Sequence, residues 1–352
     1  MTYFQFFLHL SFASLLLFIA FYVTRYMLFS RKIIDHPNER SSHSVSIPKS
    51  GGISIVITFL CGMAIIYAFG DEQLVRRDYF ISFVFCSILI AMISLYDDIT
   101  HKSIKFKLIS QVIAVILVLI FGIVIDKISL PGLGEVKLGW AAYLISFIWI
   151  FGLTNAYNFM DGLDGLMAGI TAIVSLFFMV ICYSQGSSFV FITCYTLLAG
   201  SIGFLLFNFP PAKIFMGDVG SAFIGFTLAV LAIIAARYDT SHTSFLVMPL
   251  LLFNVLFDTT FTYFRRMLNG EKVTTAHKTH LYQLMNQLGF SHMEVTLTQY
   301  CMVFLQGLGA LWMIQIEGSE RLYLFIPFIL LQSIYCYWIL SATKAKQEQL
   351  IS

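Results

Sequence analysis

The segment Asn155-Ala-Tyr-Asn158-Phe-Met-Asp161-Gly-Leu-Asp164-Gly165 places an amide or a carboxylate at every third residue, with glycines interposed. Oxygen donors gathered in that number suit a hard cation or a polar substrate. Neighbours three apart share a helical face, but each step drifts by about 60°, so the first and last of the four would point to opposite sides of one continuous helix. The pattern therefore predicts that the chain unwinds at Gly162 and Gly165 and lets Asn155, Asn158, Asp161 and Asp164 converge. Irregular backbone at membrane depth is tolerated where it lines a cavity.

Further clusters carry unusual polar groups. Asp97-Asp98 follow an apolar run ending at Tyr96, so two carboxylates stand where a helix leaves the membrane. Lys107 opens the next apolar run, near enough to neutralise a carboxylate or hold a phosphate. In Asn208-Phe-Pro210-Pro211-Ala-Lys213-Ile-Phe-Met-Gly217-Asp218-Val-Gly220-Ser221 the prolines stop one helix, and Asp218 and Ser221 stand where another begins. Asp97, Asp98, Asp161, Asp164 and Asp218 gathered in one cavity would repel one another unless a cation were present. Mg²⁺ resolves the conflict, because it takes one or two carboxylates and completes its shell with water and substrate phosphates; Mn²⁺ could stand in for it.

Arg265, Arg266 and Lys272 precede His277-Lys278-Thr279-His280-Leu281-Tyr282-Gln283, a basic segment suited to a charged diphosphate. Upstream, Asp35-His36-Pro37-Asn38-Glu39-Arg40 is followed by His43 and Pro48-Lys49-Ser-Gly51-Gly52. Lys49 and His43 could contact phosphate, and the glycine pair would let backbone approach a ligand closely, although an ordinary positive loop fits the same residues. His9, His101, His242 and His292 have no such company and receive no role.

The elements that must position these groups follow from composition. Of 352 residues, 59% are apolar or aromatic and 11% are charged, which excludes a water-soluble globule. The apolar blocks have the length a helix needs to cross a bilayer, about 20 residues. They predict an all-α polytopic transmembrane bundle of eleven spans, near 4–29, 52–70, 79–96, 106–125, 140–157, 165–183, 189–207, 219–236, 245–264, 299–316 and 322–341. The first block is too long for a signal peptide and is read as a retained span. Fourteen Lys and Arg residues fall in one alternate set of loops and six in the other, which puts the N-terminus outside, the C-terminus in the cytoplasm and the polar clusters on the cytoplasmic face. Residues 1–352 form a single integral membrane domain, with a long cytoplasmic loop over 265–298, in which His280 to Leu288 could be helical, and an outward hairpin over 126–139. The net charge of +2 lacks the basic face that nucleic acid requires, and the six cysteines, scattered within apolar blocks, imply no disulfide framework.

In this order and on one membrane face, the clusters resemble the polyprenyl-phosphate N-acetylhexosamine-1-phosphate transferase family. Its members include phospho-N-acetylmuramoyl-pentapeptide transferase and the GlcNAc-1-phosphate transferases that initiate surface polysaccharides. The likeness runs over residues 35 to 283. Asp97-Asp98 with Lys107 is similar to the family's paired-aspartate motif. Residues 155–165 match its Asn-Ala-x-Asn-x-x-Asp-Gly-x-Asp-Gly segment, and Phe215-Met216-Gly217-Asp218-Val-Gly220-Ser221 matches its Gly-Asp segment. One departure matters: many relatives end the long loop in Asp-Arg-x-His-Leu-His-His, whereas this chain reads His277-Lys278-Thr279-His280-Leu281-Tyr282-Gln283. The loss of the histidine cluster argues against the muramoyl-pentapeptide substrate. It is similar to relatives that start O-antigen chains from UDP-FucNAc, UDP-QuiNAc or UDP-GlcNAc.

The resemblance implies that a UDP-N-acetylhexosamine and undecaprenyl phosphate react at the bacterial inner membrane to give the lipid diphosphate sugar and UMP. A cytoplasmic cleft and a lipid groove between spans would serve the reaction, with membrane lipids as neighbours and a homodimer left open. Mg²⁺ held by Asp218 with Asn158 would bridge the diphosphate. Asp97 or Asp98 would orient or deprotonate the lipid phosphate while Lys107 holds it, and Asp161 and Asp164 would fix the metal shell or the nucleotide. His280 and Lys278 would bind the diphosphate or sugar, with Lys49, Asn155, Lys213, Arg265 and His277 as further substrate contacts. Direct in-line attack and a covalent phosphosugar on an aspartate use the same residues. In a cation-coupled transporter, the alternative, the carboxylates would form an ion path, but charges near the bilayer midplane and polar groups open to both faces are then expected.

Overall fold

The computed structural model describes residues 3–30, 33–35, 46–69, 77–100, 104–272 and 277–351. His43 and the phosphate contact expected of it lie outside these residues. In chain order the helices are α1 (Tyr3–Ser30), α2 (Gly52–Phe69), α3 (Arg77–Thr100), α4 (Ile104–Ile120), α5 (Ala141–Met160), α6 (Leu166–Ser184), α7 (Phe189–Asn208), α8 (Asp218–Arg237), α9 (Val247–Leu251), α10 (Phe253–Leu268), α11 (Leu281–Gln287), α12 (His292–Met313) and α13 (Phe325–Ile351). There are also a 3-10 turn over Arg321–Leu324 and two small antiparallel pairs: β1 (Ile34–Asp35) with β2 (Ile47–Pro48), and β3 (Lys127–Leu130) with β4 (Gly134–Lys137). Among the described residues seven helices are long and apolar enough to cross a membrane, so the protein is a multi-pass helical membrane protein.

The bundle is organised around α8. Its residues are buried from Val219 to Ala235 almost without interruption, as expected of a helix that is apolar all round. α3 and α5 flank it. A Cβ added to Gly225 of α8 would stand 2.8 Å from the Leu153 carbonyl of α5, so the missing side chain lets the two backbones close. That approach brings the C-terminal end of α5 to the N-terminal end of α8.

Several element boundaries depart from the sequence reading. The apolar run 245–264 is two helices, because Pro249 removes an intrahelical donor and Leu252 leaves helical geometry at φ −107° and ψ 18°. The run 106–125 stops as a helix at Ile120, where Gly122 takes a positive φ of 81° and turns the chain toward β3. The segment 265–298 is largely helical: α10 runs on to Leu268, α11 fills Leu281–Gln287, and α12 starts at His292. Ser291 and Glu294 make the capping box that begins α12, Ser291 Oγ accepting from Glu294 N at 3.3 Å and Glu294 Oε2 accepting from Ser291 N at 2.7 Å.

Candidate active site

The segment before α8 supplies the floor of the site. Its backbone runs beside residues 48–52: Phe215 N donates to Pro48 O at 2.8 Å, and Gly51 N and Gly52 N donate to Phe215 O and Met216 O at 2.9 Å each. A Cβ on Gly52 would meet Gly220 Cα at 2.4 Å. The missing side chain of Gly52 therefore admits the start of α8, and that of Gly51 the Phe204 ring of α7. Gly217, at φ 76°, makes the turn into α8 and leaves Asp218 as its first residue.

Two lysines and two aspartates meet at that point. Asp98 Oδ1 accepts from Asp218 N at 3.2 Å and Asp98 Oδ2 from Val219 N at 2.9 Å, so an aspartate of α3 satisfies the free amides of α8. Lys49 Nζ lies 3.0 Å from Asp98 Oδ1 and 4.0 Å from Asp218 Oδ1. Lys107, in the first turn of α4, donates to Asp218 Oδ2 and, at 2.7 Å, to Asn158 Oδ1. Asn158, near the end of α5, donates in turn to Asp218 Oδ1 at 2.9 Å and Ser221 Oγ at 3.0 Å. Burial alone would lower the Lys49 ammonium, but Asp218 and Asp98 outweigh it and hold Lys49 above its ordinary value.

Asp161 stands next to this network just beyond the end of α5. Its carboxylate takes no hydrogen bond from the described residues. Burial, with the negative charge of Asp218 added, pushes it up to about 7. A carboxylate held this way is short of positive charge, and with Asp218 and Asn158 it offers hard oxygen donors of the kind Mg²⁺ takes. Among the described residues no three His, Cys, Asp or Glu side chains are grouped closely enough to cage a metal alone.

The unwound stretch 161–165 does not bring all four polar residues together. Asn155 donates to Phe151 O of its own helix at 2.8 Å. Asp164 turns to other partners: its Oδ2 accepts from Ala212 N at 3.0 Å and pairs with His292 Nδ1 at 3.3 Å, and its carbonyl accepts from Thr296 of α12 at 2.9 Å. Lys213 is exposed and makes no side-chain hydrogen bond among the described residues. Asp97 is half-buried beside Asp98, a third of a helical turn away from the direction that reaches Lys49.

The basic segment docks against the end of α5 and Gly162. Tyr282 Oη donates to Phe159 O at 2.9 Å, and a Cβ on Gly162 would collide with that hydroxyl at 2.3 Å. His280 stacks on Phe159 at 6.2 Å and on His277 at 5.0 Å between ring centres. His277 Nδ1 lies 3.0 Å from Thr279 Oγ1, and Arg265 holds the Thr279 carbonyl. Gln287 donates to the Lys278 carbonyl at 2.7 Å.

Comparison with known proteins decides the class. Residues 80–236, which carry Asp98, Lys107, Asn158, Asp161 and Asp218, match glycosyl transferase family 4. Over 300 residues the chain is 32% identical to a probable undecaprenyl-phosphate N-acetylglucosaminyl 1-phosphate transferase of Bacillus subtilis strain 168, covering 85% of this chain and 81% of that protein. The chain belongs to the polyprenyl-phosphate N-acetylhexosamine-1-phosphate transferase family. It is also 26% identical to the undecaprenyl-phosphate alpha-N-acetylglucosaminyl 1-phosphate transferase of Escherichia coli K12 over 77% of this chain and 75% of that protein. A phospho-N-acetylmuramoyl-pentapeptide-transferase of Lacticaseibacillus paracasei is 36% identical over 44% of this chain and 51% of its own length.

In this transferase two partners escaped the sequence reading. His292, given no role, meets Asp164 across 128 positions of sequence. Asp258, inside an apolar run, is buried and accepts hydrogen bonds from the His280 segment. A lone carboxylate among apolar residues at membrane depth was the signal for the second; for the first there was none.

Proposed function

We propose that this protein transfers N-acetylhexosamine 1-phosphate from a UDP-sugar to undecaprenyl phosphate on the cytoplasmic face of the bacterial inner membrane, releasing UMP and starting an O-antigen or a related surface polysaccharide. The observation that carries the reading is the meeting of Lys49, Asp98, Lys107, Asn158 and Asp218 at converging helix ends, with Asp161 beside them. Similarity to two undecaprenyl-phosphate GlcNAc-1-phosphate transferases favours UDP-GlcNAc as donor, with UDP-FucNAc and UDP-QuiNAc as the competing donors.

An oxygen of the lipid phosphate attacks the β-phosphorus in line. The bond from that phosphorus to the bridging oxygen breaks, and the oxygen leaves with UMP. Such a step asks for positioning and charge neutralisation more than for covalent help. Asp218 and Asn158, with Asp161 completing the oxygen set, would hold Mg²⁺ or Mn²⁺, which would supply much of that neutralisation. Lys107 and Lys49 exchange carboxylate partners for phosphate oxygens when substrates enter, and Asp98 keeps Lys49 and the start of α8 in place. His280, Lys278 and His277 contact the sugar diphosphate.

The lipid tail has a path. Phe253, Phe257 and Phe261 repeat every fourth residue along α10 and, with Pro249, Leu256, Thr260 and Phe325, line an apolar groove of about 440 Å³. The rings of Phe257 and Phe261 stack at 6.0 Å, and Arg265 covers Phe261 at 5.7 Å, so the groove ends at a cation close to the His277–His280 segment.

The test is UMP release by the purified protein with undecaprenyl phosphate and Mg²⁺, offered UDP-GlcNAc, UDP-GalNAc, UDP-FucNAc and UDP-QuiNAc in parallel, with EDTA as control. Release from one donor, lost in EDTA, is expected. Silence from all four with folded protein overturns the reading.

A further inference from the structure

Asp258 lies in the second turn of α10, 4% exposed, where a charged side chain is costly unless it is fully partnered. Its partners are donors. Oδ1 accepts from Thr262 Oγ1 at 3.1 Å and from Leu281 N at 3.0 Å and faces His280 Nδ1 at 3.1 Å, while Oδ2 accepts from Tyr282 N at 3.1 Å. Three of the four belong to consecutive residues of the segment that carries His280.

The chemistry of the contact fixes the ring. A carboxylate only accepts, so His280 carries a proton on Nδ1, and the orientation of the imidazole is set by Asp258. Nε2 then lies on the edge of the ring away from the Asp258 carboxylate. Further contacts hold the ring in register with the site: Phe159 stacks against it, and Tyr282 Oη ties the same segment to Phe159 O, one residue from Asn158 and two from Asp161. Two turns further along α10 from Asp258, Arg265 grips the Thr279 carbonyl.

We propose that Asp258 is a positioning residue for donor recognition: it holds His280 with Nδ1 protonated and Nε2 free to meet the sugar diphosphate of the nucleotide donor. This rests on the transferase reading above. Asparagine at 258 presents an amide N–H to at least one of these donors and so breaks the arrangement without changing its size.

Three variants test it by steady-state UMP release, with donor and undecaprenyl phosphate varied separately. Asp258→Asn is expected to raise the KM for the UDP-sugar by about 10-fold, the size of one lost hydrogen bond to a charged group, and to leave the KM for the lipid phosphate within 2-fold. His280→Asn keeps a donor where Nδ1 stands and removes Nε2; it is expected to fold with the wild-type melting temperature and show the same rise in donor KM. The double variant Asp258→Asn, His280→Asn is expected to be no worse than the poorer single one, since both changes act through one ring.

An unchanged donor KM in His280→Asn overturns the proposal even where Asp258→Asn does not fold. So do multiplicative losses in the double variant, or equal losses toward both substrates, which mark a purely structural carboxylate. A wild-type protein that releases no UMP from any donor overturns the transferase reading instead, and this inference with it.

Discussion

Asp98 caps the helix that begins with Asp218: its two carboxylate oxygens accept from Asp218 N at 3.2 Å and Val219 N at 2.9 Å, across 120 positions of sequence. The same side chain pairs with Lys49 at 3.0 Å. One aspartate thus fixes both the direction in which Asp218 enters the site and the place of a lysine suited to phosphate.

Replacing Asp98 separates these tasks. Asp98→Asn keeps an acceptor for one amide of α8 but loses the charge that holds Lys49. Turnover is expected to fall about 100-fold or more, as when a group that orders charge at a reacting centre is lost, with the melting temperature nearly kept. Asp98→Ala is expected to lose turnover equally and to cost a further 1 kcal/mol or so of stability, the usual price of a missing cap. Thermal melts in detergent beside UMP release check both.

Asp161 is expected to be kept at the expense of stability. Its folded pKa of about 7 lies above the ordinary carboxylate value near 4, so the ionised form destabilises the folded protein. The penalty is absent below about pH 4, grows as pH rises through that window, and is complete above pH 7. Metal-free Asp161→Asn is therefore expected to melt a few degrees higher than wild type at pH 8 and to match it at pH 4, while losing turnover. Equal melting at both pH values would remove the electrostatic explanation.

Two glycines should respond differently to the same added methyl. In Gly52→Ala the new Cβ meets backbone, Gly220 Cα at 2.4 Å, so the start of α8 must move. An overpacking cost of about 1–3 kcal/mol is expected, together with loss of turnover. In Gly162→Ala it meets a side chain, Tyr282 Oη, whose ring is buried and whose hydroxyl donates to Phe159 O. That variant is expected to lose this hydrogen bond at a cost of about 1–3 kcal/mol and to bind the UDP-sugar more weakly, a rise in donor KM without a matching fall in kcat.

The pair Asp164 and His292 tests whether a motif carboxylate acts on chemistry or on architecture. His292→Ala removes a partner of Asp164 3.3 Å away and loosens α12 from the unwound segment. A lower melting temperature with unchanged KM values is expected. A raised donor KM at wild-type stability would instead place Asp164 in contact with substrate.

Much of the site was legible because its residues are polar where the chain should be apolar. Asp98, Lys107, Asn158 and Asp218 stand at the ends of long apolar runs, and Lys107, Asn158 and Asp218 do meet. What escaped depends on partners distant in sequence. Asp258 finds His280 22 residues away, after a break at Leu252 that an unbroken apolar pattern conceals. Asn155 and Asp164 were expected to converge with Asn158 because local spacing suggested it, whereas Phe151 and the residues around Ala212 and His292 offer them nearer partners. The capping pair Ser291 and Glu294 was readable and marks the start of α12 inside what looks like a polar loop.

The central claim is that a phosphorylated sugar, and not the sugar alone, moves to the lipid. The most direct measurement uses the donor that releases nucleotide, labelled with ³²P at its β-phosphate, with undecaprenyl phosphate and Mg²⁺. The label is expected to pass into the organic extract with the lipid while unlabelled UMP appears in water. Label that stays in water as UDP would mean transfer of the sugar alone and would contradict the account.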